Sequence, residues 1–278
     1  MAQLLDKIFC QDIGQNKLEV ILVDSGSDDN TLIIAKSFNC KIISIKKENF
    51  TFGRSLNYGC SAAIGDILIF ISGHCIPISN EWLLKLVNPI INNQVVYSYG
   101  RQIGNHSSRF SETVIFEKYF PNESKIPQSG YFCNNANSAL LKSEWHINHF
   151  NENLTGLEDL FLAKILVEQQ KKIGYVSEAC VFHLHNENWK KIKIRFEREA
   201  IALRFVMPEV NISLFDFIRY FFSSVLLDFY KAIKKRKLHT FIIQIVLFRF
   251  FQYWGCFKGN SLNRLLSKKV KEQYFYPK

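Results

Sequence analysis

The sequence predicts an α/β protein, a mostly parallel open sheet with flanking helices followed by a C-terminal helical extension. Three observations carry that reading. Unbroken aliphatic runs at residues 20–23 and 67–71 each stop at a polar turn, as parallel strands covered on both faces do. Stretches of helical periodicity at 31–37, 54–64, 82–91 and 157–169 alternate with them, the pattern of strand and crossover helix. Beyond about Trp189 the strand pattern ends and apolar, aromatic helices at 215–230 and 241–257 take over. The predicted division is 1–200 for the sheet domain and 201–278 for the extension.

Taken in order, residues 1–10 read as a helix. Residues 17–31 form a strand, a polar turn and a helix start, with Asp24 at the strand end and Asp28 and Asn30 as helix caps. The segment 66–77 repeats the plan, with Ser72-Gly73-His74 in the exit loop. Gly59, Ala62, Ala63 and Gly65 are small enough to let the intervening helix lie close to the sheet. A third apolar run, 181–185, carries His183 and His185 two residues apart, hence on one face of a strand. Ligands of open α/β sheets bind beyond the carboxyl ends of the strands, which directs attention to Asp24 and to Ser72-Gly73-His74.

With 278 residues, 47% of them apolar and 14% aromatic, the chain has enough apolar material for a full core. A formal net charge of +10 favours an anionic partner: nucleic acid, a phospholipid surface or a diphosphate-bearing substrate. Seven scattered cysteines without a CxxC pair argue against a disulfide framework or a zinc knuckle and suit a reducing cytosol. The first residues lack a secretory signal pattern. No nucleic-acid recognition module is recognisable, so nucleic acid is not an expected partner.

Four segments in order carry a resemblance: Val-Asp-Ser-Gly-Ser-Asp-Asp-Asn-Thr at 23–31, Asn-Tyr-Gly-Cys-Ser-Ala-Ala-Ile-Gly-Asp-Ile-Leu-Ile-Phe-Ile-Ser-Gly-His at 57–74, Cys-Asn-Asn-Ala-Asn-Ser-Ala-Leu at 133–140, and Gly-Leu-Glu-Asp-Leu-Phe-Leu-Ala-Lys at 156–164. Together they resemble the family 2 glycosyltransferases, and the tail around 251–259 is similar to that of rhamnosyltransferase-type members. The resemblance implies the GT-A fold, which is Rossmann-like, and an inverting transferase moving a sugar from a UDP- or dTDP-linked donor to a lipid-linked or growing surface-polysaccharide acceptor.

It further implies donor contacts from Asp24 and Ser25, from Arg54 and Asn57, from Ser72, Gly73 and His74, and from Asn137. The Glu-Asp motif falls on Glu158 and Asp159, giving Asp159 the general-base role and Glu158 a supporting one. Two adjacent acids in a first helical turn also suit the helix dipole with no function at all. Two departures stand out. The family's opening Ile-Pro-Thr-Tyr-Asn-like strand is not seen before residue 10, so the expectation is a late start of the chain or a non-catalytic remnant that binds membrane or a partner. Where the family has Asp-x-Asp, this chain has Ser72-Gly73-His74. A divalent metal, Mn²⁺ or Mg²⁺, held by His74 and His185 is therefore one reading. Direct hydrogen bonding of the diphosphate by a protonated His74 is another.

The segment 238–257 is nearly long enough to cross a bilayer, but His239, Gln244, Arg249 and Gln252 interrupt it. The expectation is a cytoplasmic protein, peripheral on the inner face of the membrane. Lys231, Lys234, Lys235, Arg236 and Lys237, with Lys268, Lys269 and Lys271, would meet anionic lipid. The competing reading is an ordinary helical subdomain with a solvated basic face.

Overall fold

The computed structural model describes residues 1–261 and 274–275; Lys268, Lys269 and Lys271 lie outside the described residues. In chain order the elements are α1 (Ala2–Phe9), β1 (Ile21–Asp24), α2 (Thr31–Ser37), β2 (Lys41–Ser44), α3 (Phe52–Ala62), β3 (Ile67–Ile71), β4 (Cys75–Pro77), α4 (Trp82–Ile91), β5 (Tyr97–Ile103), α5 (Phe110–Tyr119), β6 (Asn137–Leu141), α6 (Lys142–Ile147), α7 (Glu158–Glu168), β7 (Ile173–His183), α8 (Trp189–Val206), α9 (Leu214–Lys234) and α10 (Leu238–Ser261). They form two compact units. One comprises Met1–Asn105, Tyr119–Asn153 and Glu158–Leu184, the other His106–Lys118, Leu154–Leu157 and His185–Lys278.

The first unit holds all the strands. β1 and β2 pair in parallel, and a second sheet runs in the order β3-β6-β5-β7-β4. In that sheet β5 and β7 are parallel, whereas β6 is antiparallel to both β3 and β5, and β4 is antiparallel to β7. The α/β architecture is as expected, but the pairing is mixed and not mostly parallel. The reason is physical: an aliphatic run reports burial on both faces, and an antiparallel strand buried on both faces writes the same run. Among the described residues, β1 pairs only with β2 and β3 only with β6.

Trp82, Leu86 and Ile90 recur at helical spacing on α4 and are buried against Ala139, Val176, Ala179 and Val181 of the sheet. Burying each large side chain of this set contributes roughly 1.5–3 kcal/mol. The predicted opening helix is α1, whose Leu4, Leu5 and Ile8 pack on Val20, Ile34, Phe38 and Ile71. The caps expected at Asp28 and Asn30 form differently. Asn30 occupies the N-cap of α2 without a side-chain cap bond, and Asp29 accepts the Thr31 amide at 2.9 Å instead.

One irregularity positions the site. The β5–β7 register runs Gly100 to Val176 and then Gln102 to Val181, a bulge that re-aims the side chains beyond it. A Cβ at position 100 would collide with the Ala179 carbonyl and the Asn137 amide, so only glycine admits that crossing.

In the second unit Phe110 and Val114 of α5 pack with Val225, Ala232 and Ile245 of α9 and α10. Inside this apolar contact sits a buried ion pair. Arg249 donates to both oxygens of Asp228 at 2.8 Å, and Ser111 adds a third bond to Asp228 at 2.6 Å. Ser213 and Asp216 close a reciprocal capping box at the start of α9. α10 is long and apolar enough, by length and composition, to cross a membrane; its Phe248, Arg249 and Gln252 are buried within the protein.

Candidate functional site

Asp24 ends β1 with its carboxylate turned into the following loop. Its oxygens accept the Gly26 amide at 2.8 Å and the Ser27 amide at 3.1 Å. Burial opposes its ionisation, but bonds from the Ser27 side chain and from these two amides outweigh that and hold its carboxyl below the ordinary value. Asp24 therefore builds the 24–27 loop and keeps its charge there, with Ser25 half-buried beside it.

Arg54 and Asn57 come together on α3 around Glu152. Arg54 pairs through Nε with Glu152 at 2.7 Å, and its Nη1 donates to the Asn49 carbonyl at 2.7 Å. Asn57 spends its whole amide. The nitrogen donates to the Phe150 carbonyl and Glu152, and the oxygen accepts from Trp145 Nε1 and the Phe150 amide, both at 3.0 Å. Glu152, which sequence reasoning missed, thus ties α3 to the segment 145–152. Burial raises its carboxyl, but Arg54 and Asn57 lower it further, leaving it below the ordinary range.

Ser72-Gly73-His74 forms a tight turn from β3 into β4, closed by the Cys75 amide on the Ser72 carbonyl at 2.8 Å. Pairing of Cys75 with His183 sets the two histidines side by side, and His74 Nε2 lies 2.9 Å from His183 Nε2. Tetrahedral ligands about 2.0–2.1 Å from a metal are roughly 3.3 Å apart. The two rings would need to part by only a few tenths of an ångström to share an ion. An imidazole donor set suits Mn²⁺ or another transition metal and suits Mg²⁺ poorly.

β7 ends at His183, so His185 lies beyond the strand on which the two histidines were expected to share a face. His183 Nδ1 meets Gln102 at 2.6 Å. His185, which opens the second unit, meets Glu112 of α5 through Nδ1 at 2.7 Å. Glu112 is buried, and although burial raises its carboxyl, His185, Arg195 and Arg109 lower it below the ordinary range. Neither Gln102 nor Glu112 carries a sequence motif.

Asn137 opens β6 fully buried. Its oxygen accepts from Trp82 Nε1 at 2.9 Å, and its nitrogen donates to the Arg101 and Ala179 carbonyls across the bulge. Neighbouring Asn135 faces the Glu-Asp motif. Its amide donates to Asp159 at 2.7 Å, the Leu160 amide donates to the other carboxylate oxygen at 2.7 Å, and Tyr97 donates to the Asn135 side chain. Glu158 and Asp159 are both buried at the start of α7. Leu157 before them adopts φ 57°, left-handed backbone that a leucine seldom visits and that costs of order 1–3 kcal/mol. Such local strain is characteristic of residues held for a task.

A model of the family described as Glycosyl transferase family 2 matches residues 1–150. The chain is 27% identical over 197 residues to the O-antigen chain rhamnosyltransferase RfbN of Salmonella typhimurium, a match covering 66% of this chain and 62% of that one. It is 28% identical over 182 residues to the O-antigen chain rhamnosyltransferase WbaN of Salmonella anatum, covering 60% and 57%. The chain thus spans about three-fifths of the length of these curated relatives. Among solved structures, the mannosyltransferase PcManGT from Pyrobaculum calidifontis, in complex with GDP-Man and Mn²⁺, is similar with a TM-score of 0.59 at 13% identity, covering 99% of this chain and 83% of that one. Glucosyl-3-phosphoglycerate synthase from Mycobacterium tuberculosis, in complex with Mn²⁺, UDP-Glc and phosphoglyceric acid, reaches 0.54 at 18% identity, covering 74% and 75%. At these identities the likeness speaks for the fold, which is of the GT-A type. With the family model covering more than half of the sequence, the chain belongs to glycosyl transferase family 2.

Proposed function

We propose that this protein is an inverting glycosyltransferase of surface-polysaccharide assembly, moving a sugar from a nucleotide-sugar to a glycan or lipid-linked acceptor. The observation that carries this reading is the Asp159 carboxylate, buried and aimed by the Asn135 and Leu160 amides. Asp159 takes the proton of the acceptor hydroxyl as that oxygen attacks the anomeric carbon. The nucleoside diphosphate leaves from the opposite side. Glu158 supports the acceptor side. On the donor side, Asp24 and Ser25 meet the nucleoside, while Ser72, Gly73 and His74 meet the diphosphate. Arg54, Asn57 and Asn137 hold the walls of that site. The relatives' names, O-antigen chain rhamnosyltransferases and a minor teichoic acid biosynthesis protein, support a polysaccharide acceptor, and the neighbours solved with GDP-Man or UDP-Glc support a nucleotide-linked donor.

A divalent cation fits the imidazole donors of His74 and His183; when bound it would neutralise charge on the leaving diphosphate. Catalysis resides in residues 1–200, and 201–278 serve as a membrane-proximal extension on the cytoplasmic face. A non-catalytic reading has one observation in its favour, that β1, which carries Asp24, pairs only with β2 among the described residues. Nucleotide binding separates the two. Thermal shift with UDP, dTDP and GDP should show stabilisation by one of them, about 2.7 kcal/mol at 100 times its dissociation constant. No shift with any of the three at millimolar concentration favours the non-catalytic reading. Turnover in EDTA, restored by Mn²⁺ better than by Mg²⁺, tests the metal, and full activity in EDTA excludes it.

A further inference from the structure

The strongest unassigned feature is a chain of hydrogen bonds whose direction is fixed from one end. The Ala136 amide is a backbone N–H and can only donate; it donates to Asn134 Oδ1 at 3.0 Å. That identifies the Asn134 oxygen. The same oxygen accepts from Gln102 Nε2 at 2.9 Å, which identifies the Gln102 nitrogen and leaves Gln102 Oε1 facing His183 Nδ1 at 2.6 Å. A carbonyl-type oxygen only accepts, so His183 Nδ1 carries the proton. In the neutral ring Nε2 is then the lone-pair nitrogen, and that is the atom 2.9 Å from His74 Nε2.

In the second unit the same result is reached by charge. Glu112 Oε1 accepts from His185 Nδ1 at 2.7 Å and from Arg195 Nη2 at 3.2 Å. Arginine has donors only, so this oxygen is held as an acceptor from both sides. Arg195 is anchored in turn by Glu187 at 2.9 Å. His185 therefore carries its proton on Nδ1 and its lone pair on Nε2.

We propose that Gln102, steered by Asn134, is a positioning residue that fixes His183, beside His74, as an Nε2 lone-pair ligand for a transition-metal cation, and that Glu112, steered by Arg195, fixes the same tautomer of His185 within the second unit. The proposal rests on the metal reading given above for its purpose, though the tautomers it assigns do not. Acceptors behind ligating histidines orient the ring, choose the nitrogen and raise its basicity, and their loss commonly costs 10–100-fold in metal affinity. The bulge at Gly100 is what turns Gln102 toward His183, giving that glycine a consequence at the site.

The test uses the full chain labelled with ¹⁵N-histidine, with ring signals assigned by His183→Ala and His185→Ala. In the wild type without metal, at a pH where both rings are neutral, Nε2 should resonate as unprotonated and Nδ1 as protonated. Gln102→Leu should mix the tautomers of His183 alone, and Glu112→Leu those of His185 alone. Glu112→Gln should restore the His185 tautomer, because Arg195 still holds an oxygen at that place. Mn²⁺ affinity, read by the free-ion signal in electron paramagnetic resonance, should fall 10–100-fold in Gln102→Leu. Protonated Nε2 in the wild type, or tautomers unmoved by the Leu variants, overturns the proposal whatever the metal does. Unprotonated Nε2 with no Mn²⁺ binding by the wild type overturns the metal reading, and the purpose assigned to the tautomers with it. If the His183 tautomer shifts in Gln102→Leu but Mn²⁺ affinity does not, Gln102 does not serve the ligand set, and the proposal fails.

Discussion

The Asn135 backbone amide donates to the Asp159 carboxylate at 2.7 Å, and with the Leu160 amide on the other oxygen it fixes that carboxylate in one orientation. As the proposed base, Asp159 would be kept by these bonds from swinging away from an acceptor hydroxyl. Asp159→Asn keeps size and one acceptor oxygen but removes the capacity to take a proton. The expected loss of turnover is about 10²–10⁴-fold, the usual worth of a general base, with nucleotide affinity unchanged. Parallel turnover and thermal-shift measurements check it; near-wild-type turnover would remove Asp159 from the mechanism.

Asn57 is bonded at four points to the segment 145–152. Asn57→Ala strands the Trp145 indole N–H and the Phe150 amide in a buried site, and each unsatisfied group costs about 1–3 kcal/mol. Chemical denaturation should register a loss in that range or above it. Asn57→Asp, which sets a second carboxylate against Glu152 and the Phe150 carbonyl, should not recover that loss at neutral pH.

Glu152 gives a signed pH dependence. Its folded carboxyl is held below the ordinary value, so the Arg54 contact stabilises the protein above the usual carboxylate range, and that stability is lost as pH falls through the folded value. Both side chains are about a third exposed (33% and 35%), which limits the effect to under roughly 1 kcal/mol. Thermal midpoints of wild type and Glu152→Gln, measured from neutral pH downward, should converge on the acid side. A constant gap would mean that the charge is irrelevant and only the hydrogen bonds count.

The elements that were legible in the sequence are those with uninterrupted patterning. The runs at 31–37, 67–71 and 82–91 coincide with α2, β3 and α4 because their aliphatic side chains recur at helical or strand spacing and pack in apolar clusters. β5 and β6 were not legible. Their buried positions include Ser98, Gln102 and Asn137, polar residues tolerated because partners distant in sequence satisfy them. α5 was hidden for the same reason: its buried Ser111 and Glu112 face Asp228 and His185 where an apolar stripe would have shown. At the site, the acids of 158–159 could be read from a motif. Gln102 and Glu112 could not, because their bonds to His183 and His185 span 81 and 73 residues.

Asp228 and Arg249 form a buried pair, with side chains 0% and 5% exposed. Removing the acid leaves a guanidinium in an apolar contact between helices. Asp228→Ala should cost about 3–5 kcal/mol. Asp228→Leu combined with Arg249→Met removes both charges and should recover most of that loss, since apolar replacement of a buried pair is often neutral. Urea denaturation of the three proteins decides it. A double variant as unstable as the single one would show that the pair is needed for more than mutual neutralisation.

Along α9, Phe215, Ile218, Phe222, Leu226, Tyr230 and Ile233 recur every three or four residues, so they share one face, and each is 43–72% exposed. Exposed apolar stripes of that size mark protein or membrane contact sites. The net charge of +10 and the basic run 231–237 beside it favour an anionic bilayer over a second basic copy of this chain. Lys231 and Lys235 are engaged with Glu117 at 3.0 Å, so Lys234, Arg236 and Lys237 are the cations that would meet lipid headgroups. Flotation with vesicles containing phosphatidylserine should carry the protein upward at low salt. Replacing Phe215, Ile218, Phe222 and Leu226 with Gln should abolish flotation, while changing Lys234, Arg236 and Lys237 to Gln should weaken it and flatten its salt dependence. Flotation unchanged by the apolar substitutions would leave only surface electrostatics, and a wild type that does not float but sediments as a dimer would assign the stripe to a second copy.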